Sequence, residues 1–165
     1  MRFPGRSEVL HDEGKSAAQA SGGVGIVPHS HDGGDEAVGA KAVSTAAAPA
    51  AIGPYSQAVQ AGPFVFVSGQ LPINPATGEI EAADIVGQAA QAIANIEAIL
   101  AAAGLGLGDV VKTTVLLADI ADFAAVNEVY ASRFTGPVLP ARAAYAVAGL
   151  PRGALVEIEA VAVAN

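Results

Sequence analysis

Alternation and helical spacing divide this chain into a run of short elements that begins near Ala47. Gln57–Ala61 and Phe64–Ser68 flank Gly62-Pro63 and read as a hairpin. Phe64-Val65-Phe66-Val67 is β-branched and aromatic, as a buried strand would be. Asn74-Pro75-Ala76-Thr77-Gly78 is a turn. From Asp84 to Ala103 the spacing changes to that of a helix. Val86, Ala89, Ile93, Ile96 and Leu100 fall on one stripe, with Asp84 as N-cap and Gly104 as stop. Val110–Leu117 reads as a strand. Asp122–Phe134 reads as a second helix, with Phe123, Val126, Tyr130 and Phe134 inward. Ala143–Val147 and Leu155–Val163 are two further strands around a Gly-Leu-Pro-Arg-Gly turn at 149–153.

The order β-β-α-β-α-β-β predicts an α+β fold with a mixed β-sheet and two helices on one face. Two helices cover one face only, so the other needs a partner, and oligomerisation is the natural supplier. The last strand sharpens this. Period two puts Glu157 and Glu159 on one face with Leu155, Val161 and Val163, and Val156, Ile158, Ala160 and Ala162 on the other. The carboxylate face is therefore not cleanly polar.

Residues 1–46 differ in kind. They are rich in Gly, Ser, Ala and charge, hold all three histidines (His11, His29, His31) and show no sustained periodicity. We read them as a disordered N-terminal extension, with residues 47–165 as the single domain. A start codon assigned too far upstream would give the same pattern. The segment lacks the apolar stretch of a secretory signal, and its six acids do not suit a transit peptide, so a cytoplasmic location is expected. His29-Ser30-His31-Asp32 is either a weak metal tract or a polar tail.

Composition narrows the chemistry. The 165 residues contain no cysteine, which removes disulfides, thiolate metal sites and thiol nucleophiles. No run of about 18 uninterrupted apolar residues occurs, so no membrane span is expected. Residues 47–165 carry Lys112, Arg133, Arg142 and Arg152 against ten acids. Four scattered cations in an acidic body argue against nucleic acid, which is bound through clustered positive charge. With no histidine after residue 46, neither a Ser-His-Asp triad nor a histidine metal site can be built in the domain. Gly104-Leu105-Gly106-Leu107-Gly108 follows a helix, so it reads as a stop and linker and not as a nucleotide loop.

Among the remaining residues, Arg142 stands in the apolar run Leu139-Pro140-Ala141-Arg142-Ala143-Ala144. A guanidinium there needs acceptors. One reading is an ion pair with Glu157 or Glu159 on the neighbouring strand. The other is a fork for a substrate carboxylate. Glu157 and Glu159 are either an ordinary half-solvated strand face or the source of a general acid/base. Gly53-Pro54-Tyr55-Ser56-Gln57 and Ser68-Gly69-Gln70 are turns whose N–H groups and hydroxyls suit an anion, or turns only.

Taken together and in order, these motifs resemble the Rid (reactive intermediate deaminase) family, RidA branch. The matching runs are Ala48–Ala58, Val67–Pro72, Ala102–Leu105, Asp109–Val115, Pro140–Ala143, Leu150-Pro151 and Val156–Ala162. The resemblance covers residues 47–164 and leaves the N-terminal segment outside. It implies a chorismate-mutase-like fold and a homotrimer, with a barrel-like centre and sites in clefts between subunits. It implies a 2-iminobutanoate/2-iminopropanoate deaminase, which hydrolyses reactive 2-imino acids to 2-keto acids and ammonia without cofactor or metal. On this resemblance Arg142 binds the substrate carboxylate, Glu157 positions or activates the attacking water, and Tyr55, Ser68 and Gly69 orient the ligand. Glu159 is left as a structural residue. Many relatives carry Cys two residues after the arginine, where this chain has Ala144, so any ligand contact there comes from the backbone. The rival functions are an endoribonuclease or translation inhibitor, and a non-catalytic keto-acid-binding or chaperone-like module.

Overall fold

The computed structural model describes residues 39–164. Six strands form one mixed sheet in the order β1-β2-β3-β6-β4-β5. They are β1 (Lys41–Val43), β2 (Ala58–Ala61), β3 (Phe64–Gln70), β4 (Val110–Leu117), β5 (Ala141–Ala146) and β6 (Val156–Val163). All neighbours are antiparallel except β4 and β5, which run parallel and are joined through a helix, as a parallel pair requires. The two helices are α1 (Ile85–Ala102) and α2 (Phe123–Arg133).

The hairpin, both helices and the last strands follow the sequence reading within one to three residues at each end. The sheet itself starts earlier than expected. β1 pairs Lys41, Ala42 and Val43 with Gln60, Val59 and Ala58, inside the segment assigned to the extension. Three residues are too few to carry a periodic signal, and backbone pairing with β2 defines them instead. His11, His29 and His31 lie outside the described residues.

The core lies between the helices and one sheet face. Val65 and Val67 of β3, Val115 and Leu117 of β4, and Val156, Ile158, Ala160 and Ala162 of β6 are buried there against Ala89, Ala92, Ile93, Ile96, Ile99 and Leu100 of α1. α1 begins as predicted, with the Asp84 carboxylate accepting from Gly87 N, and ends before Gly104 at φ +75°. The predicted stripe needs one correction: Val86 is 49% exposed, and Ile85 packs on the core instead. The true face includes two polar side chains that tie down loops. Asn95 Nδ2 donates to the carbonyls of Leu71 and Ile73, while Gln88 donates to Ala82 O and accepts from Leu155 N. α1 has the length and composition of a membrane span, yet this buried stripe makes it the core helix of the fold.

The opposite sheet face carries Phe64 and Phe66 of β3 and Tyr145 of β5, each about half exposed, with their ring edges in solvent in the single chain. Glu157, Glu159, Val161 and Val163 of β6 share this open face, as the alternation predicts.

Candidate active site

The structure brings the predicted residues together in two groups. The first lies on the open face. Gln57 is buried and clamps the loop before β2: its Nε2 donates to the carbonyls of Thr45, Ala48 and Pro49, and its Oε1 accepts from Thr45 N. This fixed loop presents Tyr55, whose ring is exposed. Ser68 N donates to Gln57 O, and Ser68 Oγ donates to Ser56 O at 2.7 Å, so the hydroxyl sits against the same loop. The β3–β6 register then shifts between Val67 and Gln70. That bulge brings Gly69 under the Glu157 carboxylate, so close that a Cβ on Gly69 would overlap it.

Glu157 is thus pressed between backbone and neighbouring strands. Loss of solvent, and secondarily the charge of Glu159, pushes its carboxyl above the ordinary value of 4.5. Tyr55 and Gly69 line a cavity of about 250 Å³ together with Ile52, Leu71, Ile73 and Arg152, whereas Ser68 and Glu157 lie outside its lining. A backbone turn, a hydroxyl and a carboxylate with raised proton affinity can hold a small polar ligand and accept a proton from water.

The second group lies on the other face. Thr113 of β4 is in register with both Arg142 of β5 and Ala160 of β6. Ala160 belongs to the helix-covered face, so Arg142 does too, and Glu157 points to the opposite side. The two groups do not meet within one chain. The ion pair weighed for Arg142 is absent. Arg133 pairs with Glu97 at 2.6 Å and Arg152 with Glu79 at 2.7 Å, but Arg142 has no carboxylate partner among the described residues. Nor is Arg142 buried: β5 is an edge strand, and the side chain stays accessible. Its guanidinium lies 4.7 Å from the ring centre of Tyr130 and 5.5 Å from that of Phe123, both on α2. Phe123, expected inward, is 38% exposed and meets the arginine with its ring. Ala144 follows on the same side of β5, half-buried against the core.

These contacts were only partly legible. Spacing placed Phe123 and Tyr130 on one stripe of α2, but nothing local showed that β5 would lay an arginine across them. Asn127, between them on α2, carries a buried Oδ1 without a hydrogen-bond partner. A polar residue on an otherwise apolar stripe was the available signal.

The sequence model of the family described as Endoribonuclease L-PSP matches residues 45–164. The chain belongs to this family. It is 56% identical over 123 residues to the 2-iminobutanoate/2-iminopropanoate deaminase of Mus musculus, covering 74% of this chain and 90% of that one. It is 50% identical over 125 residues to the protein of the same name from Escherichia coli, covering 74% and 97%. Among solved structures, RidA from an Antarctic Psychrobacter superposes with a TM-score of 0.72 at 48% identity, covering 74% of this chain and 98% of that chain. The mixed sheet with two helices is thus the fold of the RidA-type members of the L-PSP family.

Proposed function

We infer that this protein is a 2-iminobutanoate/2-iminopropanoate deaminase, hydrolysing 2-imino acids to 2-keto acids and ammonia. The observation that carries the reading is a pair of complementary half-sites: a guanidinium without a carboxylate partner among the described residues, and a carboxylate whose proton affinity is raised. Deaminases of this name match nearly their whole length to the domain.

Arg142 holds the substrate carboxylate through two charge-assisted hydrogen bonds. Tyr55, Ser68 and Gly69 orient the imine. Glu157 accepts a proton from water as the oxygen bonds to C2 and the C=N π pair moves to nitrogen, and it then gives that proton to the nitrogen. Glu157 next takes the proton of the C2 hydroxyl and passes it to the same nitrogen as the C–N bond breaks, so ammonia leaves and the keto acid forms. The reaction consumes one water and needs only side chains.

Arg142 and Glu157 lie on opposite faces of one sheet, so a working site takes each from a different subunit. A homotrimer with sites in its clefts fits this, and the half-exposed Phe64, Phe66 and Tyr145 are the apolar surface it would cover. The one described helix long and apolar enough to cross a membrane, α1, is the core helix, and we propose a cytoplasmic location.

The test is an imine-trapping assay. An amino-acid oxidase generates the imine, semicarbazide competes for it, and active protein lowers semicarbazone formation. Arg142→Ala and Glu157→Gln should each be inactive. Co-refolding them in equal amounts should restore about a quarter of the sites, because a shared site needs one intact residue from each neighbour. Full activity of either variant alone would refute the assignment, and no recovery on mixing would refute the shared site. The family description names an endoribonuclease, and that second reading predicts RNA cleavage that survives Arg142→Ala.

A further inference from the structure

We propose that Phe123 and Tyr130 are positioning residues that hold the charge of Arg142 against their rings and leave its hydrogen-bond donors for the ligand. The inference rests on the reading of Arg142 as the carboxylate-binding group.

An arginine on an edge strand has a long side chain with many rotamers, and ordering it on each binding event costs entropy. An ion pair would order it, at the cost of occupying the N–H groups that a ligand needs. The other two arginines of the domain are held in that way. Arg133 and Arg152 give their N–H groups to Glu97 and to Glu79 with Gly78 O. Arg142 is held differently. Its guanidinium lies over two aromatic rings at 4.7 and 5.5 Å. Attraction to a ring uses the positive charge of the guanidinium and occupies no oxygen acceptor, whereas an ion pair occupies its N–H groups with carboxylate oxygens. The aromatic contact therefore orders the group without spending its donors.

The rings are themselves fixed. Tyr130 is buried, stacks on Phe134 with ring centres 4.2 Å apart, and shares a 2.8 Å hydrogen bond with Thr113 Oγ1. Thr113 is also the β4 residue in register with Arg142, so one residue locates both the backbone of the arginine and the ring beneath its head. Burial pushes the Tyr130 phenol up from its usual value, so it stays neutral and keeps that hydrogen bond through the physiological range. Phe123, seven residues earlier and two helical turns away, gives the second wall. Its partial exposure, unexpected for a core residue, suits a ring whose work is to face a cation.

The experiment compares Phe123→Leu, Phe123→Tyr, Tyr130→Phe and Arg142→Ala in full-length protein. It reads KM and kcat in the imine assay, and Kd for 2-oxobutanoate by calorimetry, with assembly checked by gel filtration. Phe123→Leu should raise KM and Kd about two- to fivefold, as expected for one exposed cation–ring contact, with kcat changed by less than about twofold. Phe123→Tyr should restore both, since it keeps the ring. Tyr130→Phe keeps the ring but frees it from Thr113, so it should lower thermal stability and raise KM and Kd no more than Phe123→Leu does. In an Arg142→Ala background Phe123→Leu should have no further effect on Kd, a coupling that a general packing role would not show. If Arg142→Ala weakens binding but Phe123→Leu leaves KM and Kd unchanged, or acts equally without the arginine, the cradle is refuted and the site reading stands. If Arg142→Ala itself leaves binding unchanged, the site reading fails and takes the cradle with it.

Discussion

The two groups of residues proposed for one reaction sit on two faces of one sheet, in opposite surroundings. On the helix-covered side Arg142 is accessible and lies over the rings of Phe123 and Tyr130, with no carboxylate partner among the described residues. On the open side Glu157 is crowded against Gly69 and Glu159, and its charged form is disfavoured. On the proposed function, the first half grips an anion that is already there, and the second takes up a proton that must be moved. Binding calls for a charge that stays charged; acid–base work calls for a group near the balance between two states. The difference in surroundings follows from strand position. Arg142 is on the edge strand β5, and Glu157 on β6, flanked by β3 and β4.

The strongest way to break this contrast is to neutralise the proton-moving half alone. Glu157→Gln keeps size and most contacts but cannot accept the proton. It should lower kcat about 10²- to 10⁴-fold while leaving the Kd for 2-oxobutanoate within about threefold, since the grip lies on the other face. In the wild type, kcat should fall on the acid side with a midpoint above that of an ordinary carboxylate, because the raised Glu157 must be deprotonated to act. A pH–rate profile checks both. An acid limb that persists in the variant would assign the titration to another group.

A milder break moves the carboxylate without removing it. Gly69→Ala places a methyl where the Glu157 carboxylate now lies. Glu157 is a flexible side chain and would swing aside. We expect kcat to fall about 10- to 100-fold, the usual consequence of a catalytic group displaced by about an ångström, with the protein still assembled. Unchanged kcat would show that the contact with Gly69 does not set the reactive position.

How much of this was legible in the sequence differs between the halves. Alternation set Glu157 opposite the wholly apolar Val156, Ile158, Ala160 and Ala162, which are the buried side of β6, although Val161 and Val163 on its own face blurred the contrast. Arg142 could not be placed in this way. β5 reads Ala-Arg-Ala-Ala-Tyr-Ala and has almost no amphipathic contrast, so its face is decided by register with Thr113. The same limit explains β1, whose three residues gain their structure from β2, and Val86, where i−3 and i−4 from Ala89 were both apolar and packing chose Ile85. Local pattern reports what a segment buries. It does not report which remote element a long edge side chain will lie across.

The smallest expected effect is also the one that tests the contrast without any substrate. A carboxyl whose pKa is raised by folding binds its proton more tightly folded than unfolded. That contribution to stability is fully present below the unfolded value of 4.5 and is lost as pH rises through the folded value. At pH 7 the native carboxylate therefore works against folding, and Glu157→Gln relieves it. Because the group is only partly buried, solvent screens much of the cost, and we expect a Tm gain of about 1–3 °C at pH 7. The gain should shrink toward zero near pH 4, where the wild-type carboxyl carries its proton. Thermal melts of both proteins across this range decide the matter. A variant that melts lower than wild type at pH 7 would mean that Glu157 is held by favourable contacts, and the picture of a carboxylate strained toward proton uptake would fall. A gain that appears together with loss of turnover would show that this side of the sheet sacrifices stability for chemistry, as the Arg142 side, with its ring contacts, does not.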